Sequence, residues 1–368
     1  MARRRPRSTP WSALLAAAAL LAGCTRVNPY YDPNLAHHRP DGFRNNYPHA
    51  TPGSADFWRW QIERRRDGLP PPPTDPLAPV AADVPWIKAP SNDVRITWVG
   101  HSTLLLQAGR FNLLTDPMFS ERASPLSFLG PKRYQPPGLA LADLPHIDAV
   151  VISHSHYDHL DLASVRALAA QKGGPPVFMV PLGVDVWFRI NVPAATELRP
   201  LDWWGQTVVG PVTFTLLPVQ HWSARTPFDR NESLWGAWSV QVREPALRFL
   251  FGGDFGYSQD LRDIGERAGP FDLAALPIGA YEPRWFMAPQ HVNPAEAVQA
   301  RSDVRARAAV AIHWGTFALT DEALDQPPRD LAAARHAAGL SEDDFFVMKH
   351  GESRVWRDGH WLVRAPGD

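Results

Sequence analysis

The chain has 368 residues, 45% of them hydrophobic and 20% charged, which are globular proportions with room for one large domain or two ordinary ones. A formal net charge of −1 carries no basic surplus, so composition gives no case for nucleic-acid binding. The 38 prolines point to a loop-rich fold, and the 15 tryptophans are a large stock of amphipathic rings.

The first element is a targeting segment. Arg3, Arg4, Arg5 and Arg7 precede the apolar run from Trp11 to Ala22, which is too short to span a bilayer, so residues 1–23 read as a signal peptide. Leu21-Ala22-Gly23-Cys24 resembles the bacterial lipoprotein box. Cys24 is the sole cysteine, so no internal disulfide is available. The resemblance implies cleavage before Cys24 and acylation of its sulfur and amine; several acyl chains anchor stably where one is marginal. Thr25, where Asp would signal retention, resembles outer-membrane sorting. The expectation is a bacterial envelope protein, lipid-anchored through Cys24 at the outer membrane.

Residues 24–90 read as a lipidated segment and linker, with Pro70 to Pro73 extended and Phe57 to Arg66 a short amphipathic helix. A catalytic domain is expected over 91–368. Val94–Val99, Thr103–Gln107 and Arg110–Thr115 read as a strand meander, followed by a proline-rich loop over 117–146. Ile147–Ile152 is apolar and β-branched, a buried strand. Helix 162–171, capped by Asp161, strand Val177–Val180 and helix 183–190 come next. Strands Thr207–Val209, Val212–Leu217, Trp235–Val242, Leu247–Gly252, Leu273–Ile278 and Arg307–Ile312 complete the pattern, with helices 258–268 and 294–301 between the later ones. Meanders followed by strand–helix alternation define an α/β or α+β fold with mixed sheets.

The stretch His154-Ser155-His156-Tyr157-Asp158-His159 sits where the strand 147–152 leaves its sheet. Imidazole nitrogen suits zinc, and a carboxylate completes the coordination sphere. Alternate residues of extended backbone point the same way, so His154 and His156 share one ion while Asp158 and His159 serve a second. One His-x-His alone would be an ordinary polar loop; three histidines and an aspartate at a strand mouth favour metal. His221, Asp254 and His313 each end an apolar run, as loop-borne ligands do.

The motif resembles that of the metallo-β-lactamase fold hydrolases. That resemblance implies an αββα sandwich of two mixed β-sheets flanked by helices, and two zinc ions per chain. His154, His156 and His221 would hold the first ion, Asp158, His159 and His313 the second, and Asp254 would bridge them. Zinc-activated water then replaces a Ser or Cys nucleophile.

Six further stretches, Trp98–Thr103, Thr115–Pro125, Gly130–Arg133, Pro277–Met287, Gln290–Pro294 and Ile312–Phe317, resemble the phospholipases D that hydrolyse N-acyl-phosphatidylethanolamine, over roughly residues 38–350. The resemblance implies a phospholipid substrate met at a membrane surface and cleaved to phosphatidic acid and N-acylethanolamine, with a homodimer as a compatible assembly. It casts Asp158 and His291 as catalytic groups and Tyr281, Arg284 and Trp285 as substrate contacts. Arg284 and Lys132 would meet phosphate charge. His101 and Asp116 would orient ligands or form turns, and Trp187, Phe188, Trp203, Trp204, Trp222 and Trp285 would line an acyl groove. The alternatives are a lactonase or other carboxylic-ester hydrolase of the same fold, and a binding lipoprotein whose single structural zinc is closed by four ligands.

Overall fold

The computed structural model describes residues 27–73, 77–357 and 359–364; the targeting segment and Cys24 lie outside the described residues. A two-residue ladder of β1 (His38–Arg39) and β2 (Gly42–Phe43) precedes helix α1 (Ser54–Asp67) and the short α2 (Val84–Lys88). The first sheet opens with β3 (Val94–Gly100), β4 (Thr103–Ala108) and β5 (Phe111–Thr115), and continues through β6 (Ala149–Val151), β7 (Val177–Pro181) and β8 (Leu198–Leu201), with α3 (Leu162–Ala169) and α4 (Val184–Asn191) as crossovers. The second sheet holds β9 (Gln206–Val209), β10 (Val212–Leu217), β11 (Ala237–Val242), β12 (Leu247–Phe251), β13 (Phe271–Pro277), β14 (Ala306–Ile312) and β15 (Phe345–Phe346). Helices α5 (Asp260–Arg267), α6 (Arg284–Met287), α7 (Pro294–Asp303) and α8 (Gln326–Ala337) connect its later strands. The chain then returns to pair β16 (Ser353–Arg357) antiparallel with β3 and to close the hairpin with β17 (His360–Val363).

Both sheets are mixed, as expected: β3–β5 and β9–β12 are antiparallel, β5–β8 and β12–β15 parallel. This is the metallo-β-lactamase fold. Parallel strands carry helices on their outer faces and must be apolar on both sides, which is why Ala149-Val150-Val151 and Ala308-Ala309-Val310-Ala311 contain no polar residue. One apolar layer lies between the sheets, where Trp98, Leu104 and Val151 meet Phe214, Trp238 and Phe249. A second lies between the first sheet and its helices, with Val150, Ile152, Val165 and Phe188. Asp161 caps α3 by accepting from Ser164 N, as the sequence anticipates.

The sequence reading names no element after Ile312 and so lacks α8 and β15–β17, and two other features depart from it. Strand β8 was hidden by its composition, Leu-Arg-Pro-Leu; Pro200 removes a ladder donor, which an edge strand tolerates. The described part of residues 24–90, expected as a linker in which the helix near 57–66 alone would dock, packs on the domain along much of its length. His37 Nε2 and His38 Nε2 bond the two oxygens of Asp202 at 2.7 and 2.9 Å, Asn46 donates to Asp260 at 2.8 Å, and Trp60 stacks on Phe286 at 5.1 Å while donating to Asp321 at 2.8 Å. These are isolated polar anchors to distant partners, which leave no periodic signature in the sequence.

Trp238 joins the layers to the motif: it is fully buried, and its Nε1 donates to Ile152 O at 2.9 Å, two residues before His154. Trp238→Ala is expected to cost about 3–5 kcal/mol, the usual penalty for emptying such a core position. Urea denaturation of the purified protein checks it through a lower midpoint at unchanged slope.

Candidate metal centre and groove

Parallel strands that run the same way deliver their following loops to one end of the sheets. There β5 leads into Asp116, β6 into the 154–159 motif, β12 into Asp254 and β14 into His313, and β10 feeds His221 from the same sheet. The backbone is bent to do this: His101, Asp116 and His313 have φ of 52°, 31° and 60°, left-handed values that cost non-glycine residues of order 1–3 kcal/mol. Gly253, at φ 60°, lets the Asp254 loop touch the motif; a Cβ there would lie 2.6 Å from the Ser153 Cβ.

The seven expected ligands converge. His154, His156 and His221 bring nitrogen atoms within 4.8 Å of one another, and Asp158, His159 and His313 form a second cluster with His101. Asp254 Oδ2 lies 3.1 Å from His159 Nε2 and 3.0 Å from His313 Nε2, both in the second cluster, and its charge also acts on His154, His156 and His221 of the first. Asp158 Oδ2 is 3.4 Å from both of those nitrogens.

The tautomers follow from the outer hydrogen bonds. Ser153 Oγ donates its one hydrogen to Asp116, so it accepts from His154 Nδ1 at 2.9 Å and leaves His154 Nε2 bare. That bare nitrogen faces His156 Nδ1 at 2.8 Å. His221 Nδ1 donates to Gln290 O at 3.0 Å, baring its Nε2, and His159 Nδ1 donates to Asp116 Oδ2 at 2.7 Å, which turns its Nε2 toward the centre. The Nε2 atoms of His159, His221 and His313, with Asp254 Oδ1, are buried without hydrogen-bond partners. A folded protein rarely strands so many polar atoms together; lone pairs aimed at shared points fit metal cations, and the donor set of imidazole and carboxylate suits two of them.

The electrostatics agree. Burial holds His154 and His221 well below the ordinary imidazole range and His156 at about 4, as neutral ligands require. Burial opposes the charging of His159 and His313, but Asp254 and Asp158 outweigh it and push His313 up to about 9. Burial likewise opposes the ionisation of Asp158 and Asp254, yet the imidazoles hold both well below the usual carboxylate range. The second cluster is thus a place that attracts positive charge.

His101 and Asp116 are brought to the centre as supports. His101 Nε2 sits 3.0 Å from Asp158 Oδ2, and Asp116, fully buried, receives His159 and the Ser153 N–H at 2.7 Å. Two further supports carry no recognisable sequence signal. Asn45 brackets His221 from the N-terminal segment, accepting from its N–H at 3.0 Å and donating to its carbonyl at 2.9 Å. Arg225 donates to Ser155 O at 2.8 Å and Leu160 O at 2.9 Å, clamping both ends of the motif.

A groove of about 730 Å³ opens onto the centre. His156, Asp158, Asp254 and His291 line it on the side of the centre, together with the apolar side chains Phe57, Trp60, Phe286, Met287 and Leu319, of which Trp60, Phe286 and Met287 pack as one cluster. His291 is where the sequence places it: its Nδ1 is buried without a partner, 3.9 Å from Asp254 Oδ2, and burial lowers its pKa to about 4. The three expected substrate contacts do not line this groove. Tyr281 is core and bonds Asp330. Arg284 is consumed by Glu296 at 2.7 Å and by the His291 carbonyl at 2.9 Å, so it positions His291. Trp285 lies under Arg59 on the outer surface. Lys132 pairs with Glu121 at 2.8 Å. Of the expected acyl-lining aromatics, Trp222 reaches the groove; Phe188 and Trp203 are core, Trp204 lies under Arg267, and Trp187 lines a neighbouring cleft. The wall residues Phe286 and Met287 stood inside a motif the sequence had flagged, whereas Phe57 and Trp60 could be placed there by docking of α1 alone.

A His/Asp cluster of this kind at the strand ends of two mixed sheets defines a metal-dependent hydrolase, and the chain belongs to the metallo-β-lactamase superfamily. A model described as the beta-lactamase superfamily domain matches residues 111–314, which contain all seven expected ligands. The chain is 41% identical over 273 residues to N-acyl-phosphatidylethanolamine-hydrolyzing phospholipase D 1 of Caenorhabditis elegans, covering 71% of this chain and 74% of that one. It is equally 41% identical over 280 residues to an uncharacterised protein of Mycobacterium tuberculosis, covering 75% and 72%. Igni18, a metallo hydrolase of Ignicoccus hospitalis, shares the fold at a TM-score of 0.51 and 19% identity, over 72% of this chain and 98% of that one.

The ligand set predicts two metal ions per reconstituted chain. Asp254→Ala should lose both, because the bridging carboxylate expected of it would be shared, and Asp116→Ala should weaken binding ~10–100-fold, the usual effect of removing a ligand's outer partner. Metal analysis after gel filtration, with chelator competition, reads both.

Proposed function

We propose that the protein is a zinc-dependent phosphodiesterase that makes the type D cut in N-acyl-phosphatidylethanolamine-like phospholipids, releasing phosphatidic acid and N-acylethanolamine. The observation that carries this reading is the continuity of the metal centre with a groove lined by apolar side chains, the centre for a charged reacting group and the apolar lining for acyl chain. The 41% identity to a phospholipase D of that name supports it. His154, His156 and His221 would hold one zinc, Asp158, His159 and His313 the other, with Asp254 between them. Bound zinc supplies Lewis acidity and lowers the pKa of water to ~7.

The chain's own groups do the rest. Asp158 and Asp254, kept ionised, fix the charge of the centre. The Phe57, Trp60, Phe286 and Met287 wall excludes water from the acyl side. His291, fixed through its backbone by Arg284 and Met287, offers an imidazole hydrogen to the oxygen on which charge develops as the ethanolamine oxygen leaves phosphorus. In the overall reaction water oxygen bonds to phosphorus, the P–O bond to the N-acylethanolamine breaks, and that oxygen takes a proton.

His291→Ala should lower turnover by ~10²–10⁴ with metal content unchanged, the usual worth of such a group. In heavy-oxygen water the label should enter the phosphate of phosphatidic acid. Label in the alcohol, or hydrolysis confined to lactones and carboxylic esters, would overturn the phosphodiesterase reading.

We place the enzyme at a membrane through Cys24, with the groove meeting the lipid surface. Two exposed aromatics on segments that also line the groove support this: α1 exposes Trp58 at 64% next to groove-lining Phe57, and the loop that follows groove-lining Ala123 exposes Phe128 at 75%. Cys24→Ala should move the protein to the soluble fraction of detergent-free lysates while the purified enzyme keeps its activity. Retention of the variant on membranes would assign anchoring to these exposed aromatics instead.

A further inference from the structure

We propose that Arg230 is the anion-recognising residue of the groove, selecting substrates that bring a phosphodiester charge over neutral esters; this rests on the phosphodiesterase reading above. Arg230 lines the groove beside His156, Asp158, Asp254 and His291. Its guanidinium lies 4.1 Å over the Trp222 ring, and Trp222 stands edge-on against His156 at 4.3 Å. The stack thus ties a cation to one of the metal ligands.

What distinguishes this arginine is its donors. Arg225 spends its guanidinium on backbone carbonyls of the motif, Arg284 on Glu296 and His291, and Arg64 on Asp321 and the 318–319 carbonyls. Among the described residues no carboxylate lies within 4.0 Å of the Arg230 guanidinium, and no acceptor takes its N–H groups. Partial desolvation lowers its pKa without any compensating acid, and its charge is felt at His156. An indole platform favours a cation above it and holds a planar fork in place, and that fork matches two oxygens of a phosphate group. A phosphodiester has a charged non-bridging oxygen to offer such a fork; a lactone or neutral ester does not.

The test uses the full chain reconstituted with zinc, as wild type, Arg230→Ala and Arg230→Lys. Arg230 is exposed, so neither change removes core packing. Calorimetric binding is measured for dibutyl phosphate, an anion, and tributyl phosphate, its neutral counterpart. Arg230→Ala should raise the Kd for dibutyl phosphate roughly 10–100-fold, the worth of a charge-assisted hydrogen-bonded contact, with a much smaller shift for tributyl phosphate. Arg230→Lys should recover part of the loss, since it keeps the charge but not the fork. KM for N-acyl-phosphatidylethanolamine should rise with the Kd while kcat changes less and metal content stays constant. Equal shifts for the two phosphates, no shift, or wild type that binds no dibutyl phosphate would overturn the inference. Failure of the phosphodiesterase reading is read separately, as a wild type that binds the anion yet hydrolyses no phosphodiester lipid.

Discussion

Asp254 is the constraint on which the rest depends. Its carboxylate is 3% exposed and sits about 3 Å from two imidazole nitrogens whose residues follow different strands in different sheets. A buried carboxylate without compensation costs several kcal/mol, and these partners meet it at distances and angles that leave Asp254 Oδ1 and both imidazole nitrogens unsatisfied as hydrogen-bonding groups. The arrangement is settled when cations lie among the ligands. Everything around it holds the ligands in place beforehand: Asp116 and Ser153 set the tautomers, Arg225 clamps the motif loop, and Trp238 ties the second sheet to the strand that delivers it.

The groove extends this centre in one chemical direction. Its apolar lining includes Trp60, Phe286 and Met287, a small buried cluster separate from the two main apolar layers. One partner comes from α1 and the others from α6, so the wall is assembled across the domain rather than within one element. The N-terminal segment is therefore part of the site twice over, through the aromatic wall and through the Asn45 bracket on His221. A fold shared by many chemistries acquires its selectivity in such additions.

The same packing explains why Tyr281, Arg284 and Trp285 do not line the groove. Tyr281 precedes a four-residue helix that Arg284 and Trp285 open; its inward residues, Phe286 and Met287, take the groove, and helical geometry then turns Arg284 toward Glu296 and Trp285 toward Arg59. A motif marks a neighbourhood; which of its side chains faces the substrate is set by the rotation of the element that carries it.

The fold and the neighbourhood of the site were legible in the chain because both rest on local order. Strand runs such as 147–152 and 306–312 announce themselves by apolar composition, and a polar residue at the end of a buried strand must emerge at the sheet's edge, so His154, Asp254 and His313 stood out as candidates, while the sharing of ligands between two ions came from the family resemblance. Tertiary structure alone decided the groove, the role of residues 27–73 and the freedom of Arg230. Each depends on which distant groups meet: Trp60 with Phe286, Asn45 with His221, and, for Arg230, an indole without an acid. Such meetings are governed by the packing of whole elements, whose rotation and docking leave no period in the residues that they bring together.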